Sequence, residues 1–142
     1  MKKFWKWTNL TDAGETASNT ADGGVNTDYP LFRLADVYLM RTEAKFRSGD
    51  VDGALTDINE LRNKRHVSTY KKEELTLEKI YNERGYEFYW DGPSRRNDMV
   101  RFNRYCEARY EKPASEPYKI LLPIPLSALE ANEQLKQNDQ YQ

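Results

Sequence analysis

Between residues 34 and 64, apolar positions recur with the period of a helix in two successive stretches. In the first stretch they cover most of the helix and leave a narrow polar stripe, which consists of Arg33, Asp36, Glu43 and Arg47. In the second stretch they recur at three- and four-residue steps along one face: Val51, Ala54, Leu55, Ile58 and Leu61. The pattern predicts two helices whose apolar surfaces need neighbours to cover them.

Gly49 and Asp50 mark the turn between these helices. Glycine can take the left-handed backbone that ends a helix, and aspartate can accept a hydrogen bond from a free amide of the next one. Small Ala54 permits a close approach of the two helices, and we expect Ala44 to face it. Residues 44–55 resemble the core of a tetratricopeptide repeat, which needs about three stacked copies. The chain has one copy, so other segments must complete it.

Beyond this hairpin, the pattern predicts a mainly α fold, with tetratricopeptide-like hairpins, irregular loops and little strand. Before the hairpin, we predict a short strand at residues 4–8 and a mobile loop at 11–28. After it, we predict a third helix from Leu77 to about Trp90, capped by Thr76, and a fourth from Ser94 to about Arg104. The chain ends in an extended tail, whose short helix is predicted to begin with a Ser127–Glu130 capping box. We expect one domain over residues 1–142, divided into segments 1–28, 29–66, 67–106 and 107–142.

Charge and cysteine content narrow the classes of function. The chain has 22 basic and 23 acidic residues and a net charge of −1, so no overall field attracts it to nucleic acid or to an anionic membrane. The single Cys106 forms no internal disulfide, and the single His66 cannot build a metal site alone. We therefore expect no metal, no cofactor and no nucleic acid partner. No apolar run predicts a signal peptide or a membrane span.

Four stretches carry a family resemblance: residues 29–44 (YPLFRLADVYLMRTEA), 82–92 (NERGYEFYWDG), 95–102 (RRNDMVRF), and 122–125 (LPIP) with Asn132 and Gln137-Asn138 after it. In this order they resemble the C-terminal part of the SusD/RagB family of outer-membrane proteins. The resemblance covers residues 7–141. It implies a surface lipoprotein of the outer membrane that captures glycans or other nutrients without catalysis. It also implies delivery of the cargo to a TonB-dependent transporter of the SusC type, and a helical scaffold of tetratricopeptide-like units.

The chain departs from this family in length and at three positions. Members run to several hundred residues, so we expect a C-terminal fragment that lacks an export signal, a lipid-accepting cysteine and most of the ligand contacts. Apolar surface that has lost its neighbours predicts self-association of the fragment. Asn103 stands where the family often has Gly, and Asp139-Gln140 where it usually has Pro-Gly. These exchanges affect local geometry.

Three tryptophans are the candidate glycan-binding residues, because the C–H face of a sugar can stack on an indole. They are Trp5, Trp7 and Trp90, and packing against the hairpin is the alternative interpretation for each. A second set is expected to serve the fold: Tyr38, Gly49, Asp50, Ala54, Arg95, Arg96 and Asp98. In this set, Arg95 and Asp98 stand three residues apart and can form an ion pair.

Two other functions compete with glycan capture. A tetratricopeptide-like interaction module would bind a peptide in a helical groove, although one repeat gives it little surface. A glycosidase would need two carboxyls across a cleft, one of them with a raised pKa. Glu83 and Glu87 are four residues apart on one helical face with Arg84 beside them, which favours a solvated face or ion pairs. We therefore expect no catalytic residues.

Overall fold

The computed structural model describes residue 10 and residues 13–15, 31–91 and 94–141. The chain forms two compact units, Met1–Gly92 (unit 1) and Pro93–Gln142 (unit 2). The α-helices of the described residues are α1 (Leu34–Arg47), α2 (Val51–Lys64), α3 (Leu77–Glu87), α4 (Ser94–Arg101) and α5 (Leu126–Ala131). The described residues contain no strand, so the prediction of a mainly helical fold is confirmed. The strand predicted at residues 4–8, and most of the loop predicted at 11–28, lie outside the described residues. The division of the chain into four segments stays a prediction.

The turn between α1 and α2 has the conformation that its residues favour. Gly49 adopts a left-handed backbone with φ of 91°. The Asp50 carboxylate accepts a hydrogen bond of 2.8 Å from the amide of Gly53 and so caps α2. A Cβ at position 53 would lie only 2.1 Å from that carboxylate, so glycine there lets the cap close. Ala54 is fully buried but Ala44 is exposed, so the prediction that they face each other is wrong.

Unit 1 has a small apolar core between α1, α2 and α3. Leu39, Ile58 and Ile80 are completely buried and supply one large side chain from each helix. Leu75, which precedes α3, is also buried. At roughly 25 cal/mol per Å² of apolar surface, three such side chains contribute only a modest part of what folding requires. Other contacts must therefore hold the three helices in register.

Helix α1 buries part of the polar stripe that its hydrophobic pattern assigns to the surface. Asp36 and Glu43, which belong to the predicted polar stripe, are 8% and 4% exposed, whereas apolar Leu34 is 71% exposed. Both buried carboxylates have a basic partner: Asp36 pairs with Arg84 of α3 at 2.9 Å, and Glu43 with Arg47 at 2.7 Å. Ion pairing therefore allows two carboxylates that were expected at the surface to be buried.

Ion pairs also join the helices of unit 1 to one another. In each of them the carboxylate side chain is at most 12% exposed, and the pairs are Asp36–Arg84, Asp57–Arg41, Asp57–Lys45, Glu83–Arg62, Glu87–Arg33 and Glu87–Arg65. Together they connect α1 with α2, α1 with α3, and α2 with α3. A buried carboxylate needs well-aligned donors to offset the loss of water, and hydrogen bonds of 2.6–2.9 Å from Arg33, Arg41 and Arg65 supply them to Glu87 and Asp57.

The same contacts set the ionisation of two carboxyls. Burial disfavours the charged form of Glu87, but the hydrogen bonds from Arg65 and Arg33 outweigh it, so the pKa of Glu87 lies below its usual value. Burial likewise opposes the charge of Asp57, but hydrogen bonds from Arg41 and Lys45 hold the pKa of Asp57 below its usual value. Both groups are therefore more acidic in the folded protein than in the unfolded chain.

Helices α3 and α4 end earlier than the sequence pattern predicts. α3 stops at Glu87, three residues before the predicted end at Trp90, which has a φ of 65°. α4 stops at Arg101, and Asn103 follows with a φ of 60°. The amides of Asn103 and Arg104 donate to carbonyls of the last helical turn, as in a Schellman motif. A left-handed residue thus follows the end of each helix.

The short helix of the tail also differs from its prediction. α5 begins at Leu126, and Pro125 is its N-cap residue without a side-chain hydrogen bond. Ser127 therefore lies inside the helix, and the predicted capping box is wrong. A proline at this boundary fixes φ near the helical value and starts the helix without a hydroxyl cap. Beyond α5, the Tyr141 amide donates to the carbonyl of Asn138 at 3.1 Å and closes a four-residue turn.

The unfolding free energy should depend on pH through Glu87 and Asp57. Because their folded pKa values are depressed, the stability that they add is present above the unfolded pKa, about 4, and is lost as the pH falls through the folded pKa. Urea unfolding followed by circular dichroism should show this loss below about pH 4. Glu87→Gln should flatten it, while Glu107→Gln, at an exposed pair with Arg104, should leave it unchanged. A free energy that rises on acidification would contradict this assignment.

Gln140→Gly should stabilise the tail turn. Gln140 is the third residue of the turn and has a φ of 73°, the conformation that a type II turn needs at that position and that glycine adopts without strain. Thermal unfolding should show a gain of about 0.5 kcal/mol after the entropy of the unfolded glycine is subtracted. Gln134→Gly is the matched control, since Gln134 is exposed and is not among the residues with positive φ, and it should not stabilise. Equal effects of the two substitutions would refute the strain at Gln140.

Candidate functional site

An exposed aromatic pair follows α3 in unit 1. Trp90 is 75% exposed and Tyr89 is 56% exposed, and their rings meet edge to face with centroids 6.3 Å apart. The alternative that Trp90 packs against the hairpin is therefore wrong for this residue. Trp5 and Trp7 lie outside the described residues, so their role stays a prediction. The pair presents one continuous aromatic surface to solvent.

Arg33 holds the backbone on both sides of this aromatic pair. Its guanidinium donates to the Glu87 carbonyl at 2.9 Å, to the Glu87 carboxylate at 2.7 Å and to the Asp91 carboxylate through Nε at 2.9 Å. It also lies over the ring of Phe88, 5.0 Å from the centroid. Residues 87, 88 and 91 are thus tied to the start of α1, which leaves Trp90 as the projecting residue of the turn.

A concave surface, the helix groove, runs along α1 and α2. Its volume is about 440 Å³, and its lining residues are Leu34, Ala35, Tyr38, Glu60, Leu61, Lys64 and Arg65. Most of the lining is apolar, and its charged residues are of both signs: Glu60, Lys64 and Arg65, of which Arg65 is paired with Glu87. Tyr38 lies within this groove, with the guanidinium of Arg41 over its ring at 5.2 Å from the centroid. Such a groove can accommodate an apolar side chain or the apolar face of a helix.

A second concave surface is in unit 2, close to the end of the chain. This tail pocket has a volume of about 440 Å³ and is lined by Tyr118, Leu121, Gln137, Asn138, Asp139, Gln140 and Tyr141. The rings of Tyr118 and Tyr141 meet edge to face, with centroids 5.1 Å apart and planes inclined by 80°. Aromatic rings beside planar polar groups make this pocket chemically different from the helix groove.

Side chains of the tail fasten it to the extended segment before α5, in an arrangement that we call the tail clamp. Gln137 pairs with the backbone of Ile124 in both directions, at 2.9 Å each. Asn138 and Tyr141 each donate a hydrogen bond of 2.9 Å to a backbone carbonyl, those of Leu122 and Leu121 respectively. The extended segment thereby gains partners for backbone groups that helices and strands would otherwise satisfy.

Arg96 and Asp98 make contacts inside unit 2. Arg96 donates to the carbonyl of Ile120 at 2.7 Å and lies over the ring of Tyr105, 4.9 Å from the centroid. Asp98 is 2% exposed and pairs with Arg101 at 2.7 Å. The ion pair expected between Arg95 and Asp98 stays a prediction. The Arg96 contacts attach α4 to the rest of the unit, whereas the Asp98–Arg101 pair lies within the helix.

Glu83 and Glu87 have partners that do not suit acid and base catalysis. Glu83 pairs with Arg62 and accepts a hydrogen bond of 3.2 Å from the Tyr70 hydroxyl. The pKa of Glu87 is lowered, because hydrogen bonds from Arg65 and Arg33 exceed the effect of burial, whereas a general acid needs a raised pKa. Within the described ranges, no group of three or more His, Cys, Asp or Glu residues is placed to hold a metal ion. His66 is exposed in the loop after α2.

Sequence reasoning did not identify the tail pocket. Tyr118 and Asp139 are 21 positions apart in the chain and meet only because the tail clamp folds residues 137–141 back onto residues 121–124. The available signal was the pair Gln137-Asn138, two amides downstream of a proline-containing extended segment with unpaired backbone groups.

Comparisons with known proteins agree with the helical architecture and with the sequence motifs. The sequence model of the SusD family matches residues 1–115. The starch-binding protein SusD of Bacteroides thetaiotaomicron is 37% identical over 145 aligned positions, which cover 96% of this chain and 25% of that protein. The SusD-like protein P25 of Formosa agariphila is 31% identical over 153 positions, which cover 98% of this chain and 27% of that protein. The chain thus spans about a quarter of the length of these relatives, and it belongs to the SusD family.

Proposed function

We propose that this chain is the C-terminal part of a protein that captures glycans at the outer surface of the outer membrane. In this proposal the bound glycan passes to a TonB-dependent transporter of the SusC type. Membership of the SusD family supports it, and so does the name of one relative, a starch-binding protein. Among the described residues, no helix is long and apolar enough to cross a membrane.

The observation that carries the binding role is the exposed aromatic surface of Tyr89 and Trp90. Large aromatic rings are normally buried, and one that stays in water next to a fixed turn is a common feature of recognition surfaces. Trp90 is 75% exposed, and Arg33 fixes the residues on both sides of it. In this proposal, Trp90 stacks on a sugar ring, and Trp5 and Trp7 add further aromatic surface.

Capture without hydrolysis is part of the same proposal. The two carboxylates that could form an acid and base pair on α3, Glu83 and Glu87, are engaged by arginines. A retaining or inverting glycosidase needs one carboxyl free to donate a proton and a second to attack or activate water. Neither carboxylate has the surroundings for these tasks, so the glycan is held by stacking and hydrogen bonds and leaves unchanged.

The helix groove supports an alternative function, a tetratricopeptide-like protein interaction module. Its apolar lining at Leu34, Tyr38 and Leu61 fits the apolar face of an amphipathic peptide. The exposed apolar side chains that precede and begin α1 enlarge this surface, and they are Leu31, Phe32 and Leu34. Self-association of the chain through this surface also stays a prediction.

Calorimetric titration of the longer protein that contains this chain tests the proposal. Starch, xylan, mannan and laminarin serve as probes, and at least one should give saturable heat. Trp90→Ala should weaken that binding by roughly threefold to tenfold, since aromatic stacking contributes about 0.5–1.5 kcal/mol. Tyr110→Ala is the matched control, because Tyr110 is 90% exposed and lies outside the three concave or aromatic surfaces, and it should change nothing.

The same titration should show weaker binding by the 142-residue chain alone, by about tenfold or more. Absence of heat with all four polysaccharides would contradict the proposal. New reducing ends in any of the mixtures would contradict capture without hydrolysis. Equal affinity of the chain and the longer protein would contradict the expectation that most ligand contacts precede this region.

A further inference from the structure

The tail pocket has the size and composition of a small-ligand site. Ligand sites in proteins commonly enclose about 300–1,000 Å³, and the tail pocket, at about 440 Å³, falls within this range. Two tyrosine rings provide aromatic surface, and four side chains with amide or carboxylate groups lie beside them. The pocket belongs wholly to unit 2, and its chemistry is independent of the aromatic pair at Trp90.

The tail clamp pre-forms this pocket. It engages two of the four amide and carboxylate side chains that line the pocket and does not engage the other two. Gln137, Asn138 and Tyr141 are committed to backbone groups of the extended segment. The side chains of Asp139 and Gln140 make no hydrogen bond or ion pair with any described residue, although both line the pocket. Rigid walls with polar groups already in place lower the entropy cost of binding.

The identity of these two residues conflicts with the turn that they occupy. The turn of residues 138–141 has its third residue at a φ of 73° and a hydrogen bond from the Tyr141 amide to the Asn138 carbonyl. A turn of this type favours proline at its second position and glycine at its third. Asp139 and Gln140 therefore make the turn less stable than proline and glycine would, and no contact of their side chains compensates for this loss. Residues that disfavour their own local conformation in this way point to a functional requirement.

We propose that the tail pocket binds one pyranose unit of a neutral glycan. The C–H face of the sugar packs on the tyrosine rings, the Asp139 carboxylate accepts hydrogen bonds from two adjacent hydroxyls, and the Gln140 amide contacts a third. The class of ligand rests on the proposed function, since carbohydrate capture is what brings sugars to this protein. Asp139 is the one charged residue among the described residues that line the pocket, so it repels an acidic sugar, and Lys119, whose Nζ lies 6.0 Å from the centroid of the Tyr118 ring, offsets only part of that repulsion.

Nuclear magnetic resonance titration of the isotope-labelled 142-residue chain tests this subsite. The probes are maltohexaose, cellohexaose, xylohexaose and mannohexaose as neutral glycans, with trigalacturonic acid as the acidic one, each up to about 20 mM. At least one neutral probe should shift the amide signals of residues 137–141 in a saturable manner. Trigalacturonic acid should not shift them.

Variants separate a binding role from a structural one. Asp139→Asn keeps the shape of the side chain and should weaken the affinity for the neutral probe roughly threefold or more, because charge-assisted hydrogen bonds are lost. Gln140→Gly should weaken it also, while raising the midpoint of thermal unfolding. A purely structural turn would not lose affinity as its stability increases. Glu133→Gln, at an exposed carboxylate outside the pocket, is the matched control and should bind as the parent chain does.

Two results of the titration would contradict the proposed subsite. They are signals that shift only around Trp90, and the absence of any shift with the neutral probes. Unchanged affinity in both Asp139→Asn and Gln140→Gly would do the same. These failures remain distinct from a failure of the proposed function, which is measured by the heat that polysaccharides give with the longer protein. That heat can persist when the tail pocket is empty.

Discussion

Arginine–carboxylate pairs between α1, α2 and α3 are the interactions on which the rest of unit 1 depends. The apolar core contributes one large, fully buried side chain from each helix, Leu39, Ile58 and Ile80, which leaves the rotation of the helices weakly specified. Buried pairs such as Arg62–Glu83 and Arg84–Asp36 specify it, because a helix turned by one position would leave a charge without its partner. Their role is to select one arrangement more than to add net stability.

The same principle places the candidate glycan surface. Arg33 joins the start of α1 to the end of α3 and to Asp91, so the turn that carries Trp90 is fixed by charge-assisted hydrogen bonds. In unit 2, side-chain amides perform this task in place of charges, since Gln137 and Asn138 hold the tail against the extended segment. The aromatic pair and the tail pocket are thus both held by polar contacts with backbone or carboxylate groups.

Local chemistry in the sequence was enough to predict the α1–α2 hairpin, because glycine and aspartate at a turn act on their immediate neighbours. It was not enough for the buried face of α1, where Asp36 and Glu43 look like solvent-facing residues until their arginine partners are known. The ends of α3 and α4 were predicted too late for a related reason. Trp90 and Asn103 take left-handed conformations, which a sequence pattern normally predicts only at glycine. The tail pocket needed contacts such as Gln137 with Ile124, which no periodic pattern encodes.

The most direct measurement is the urea unfolding free energy of Glu83→Gln compared with Asp52→Asn. Glu83 is buried with Arg62, and the Asp52–Lys72 pair is 73% and 58% exposed at 2.7 Å, so the two substitutions remove one carboxylate charge each in opposite surroundings. If buried pairs hold the three helices, Glu83→Gln should cost roughly 3 kcal/mol, and Asp52→Asn less than about 0.5 kcal/mol. Equal losses, or a more stable Glu83→Gln chain, would contradict the account.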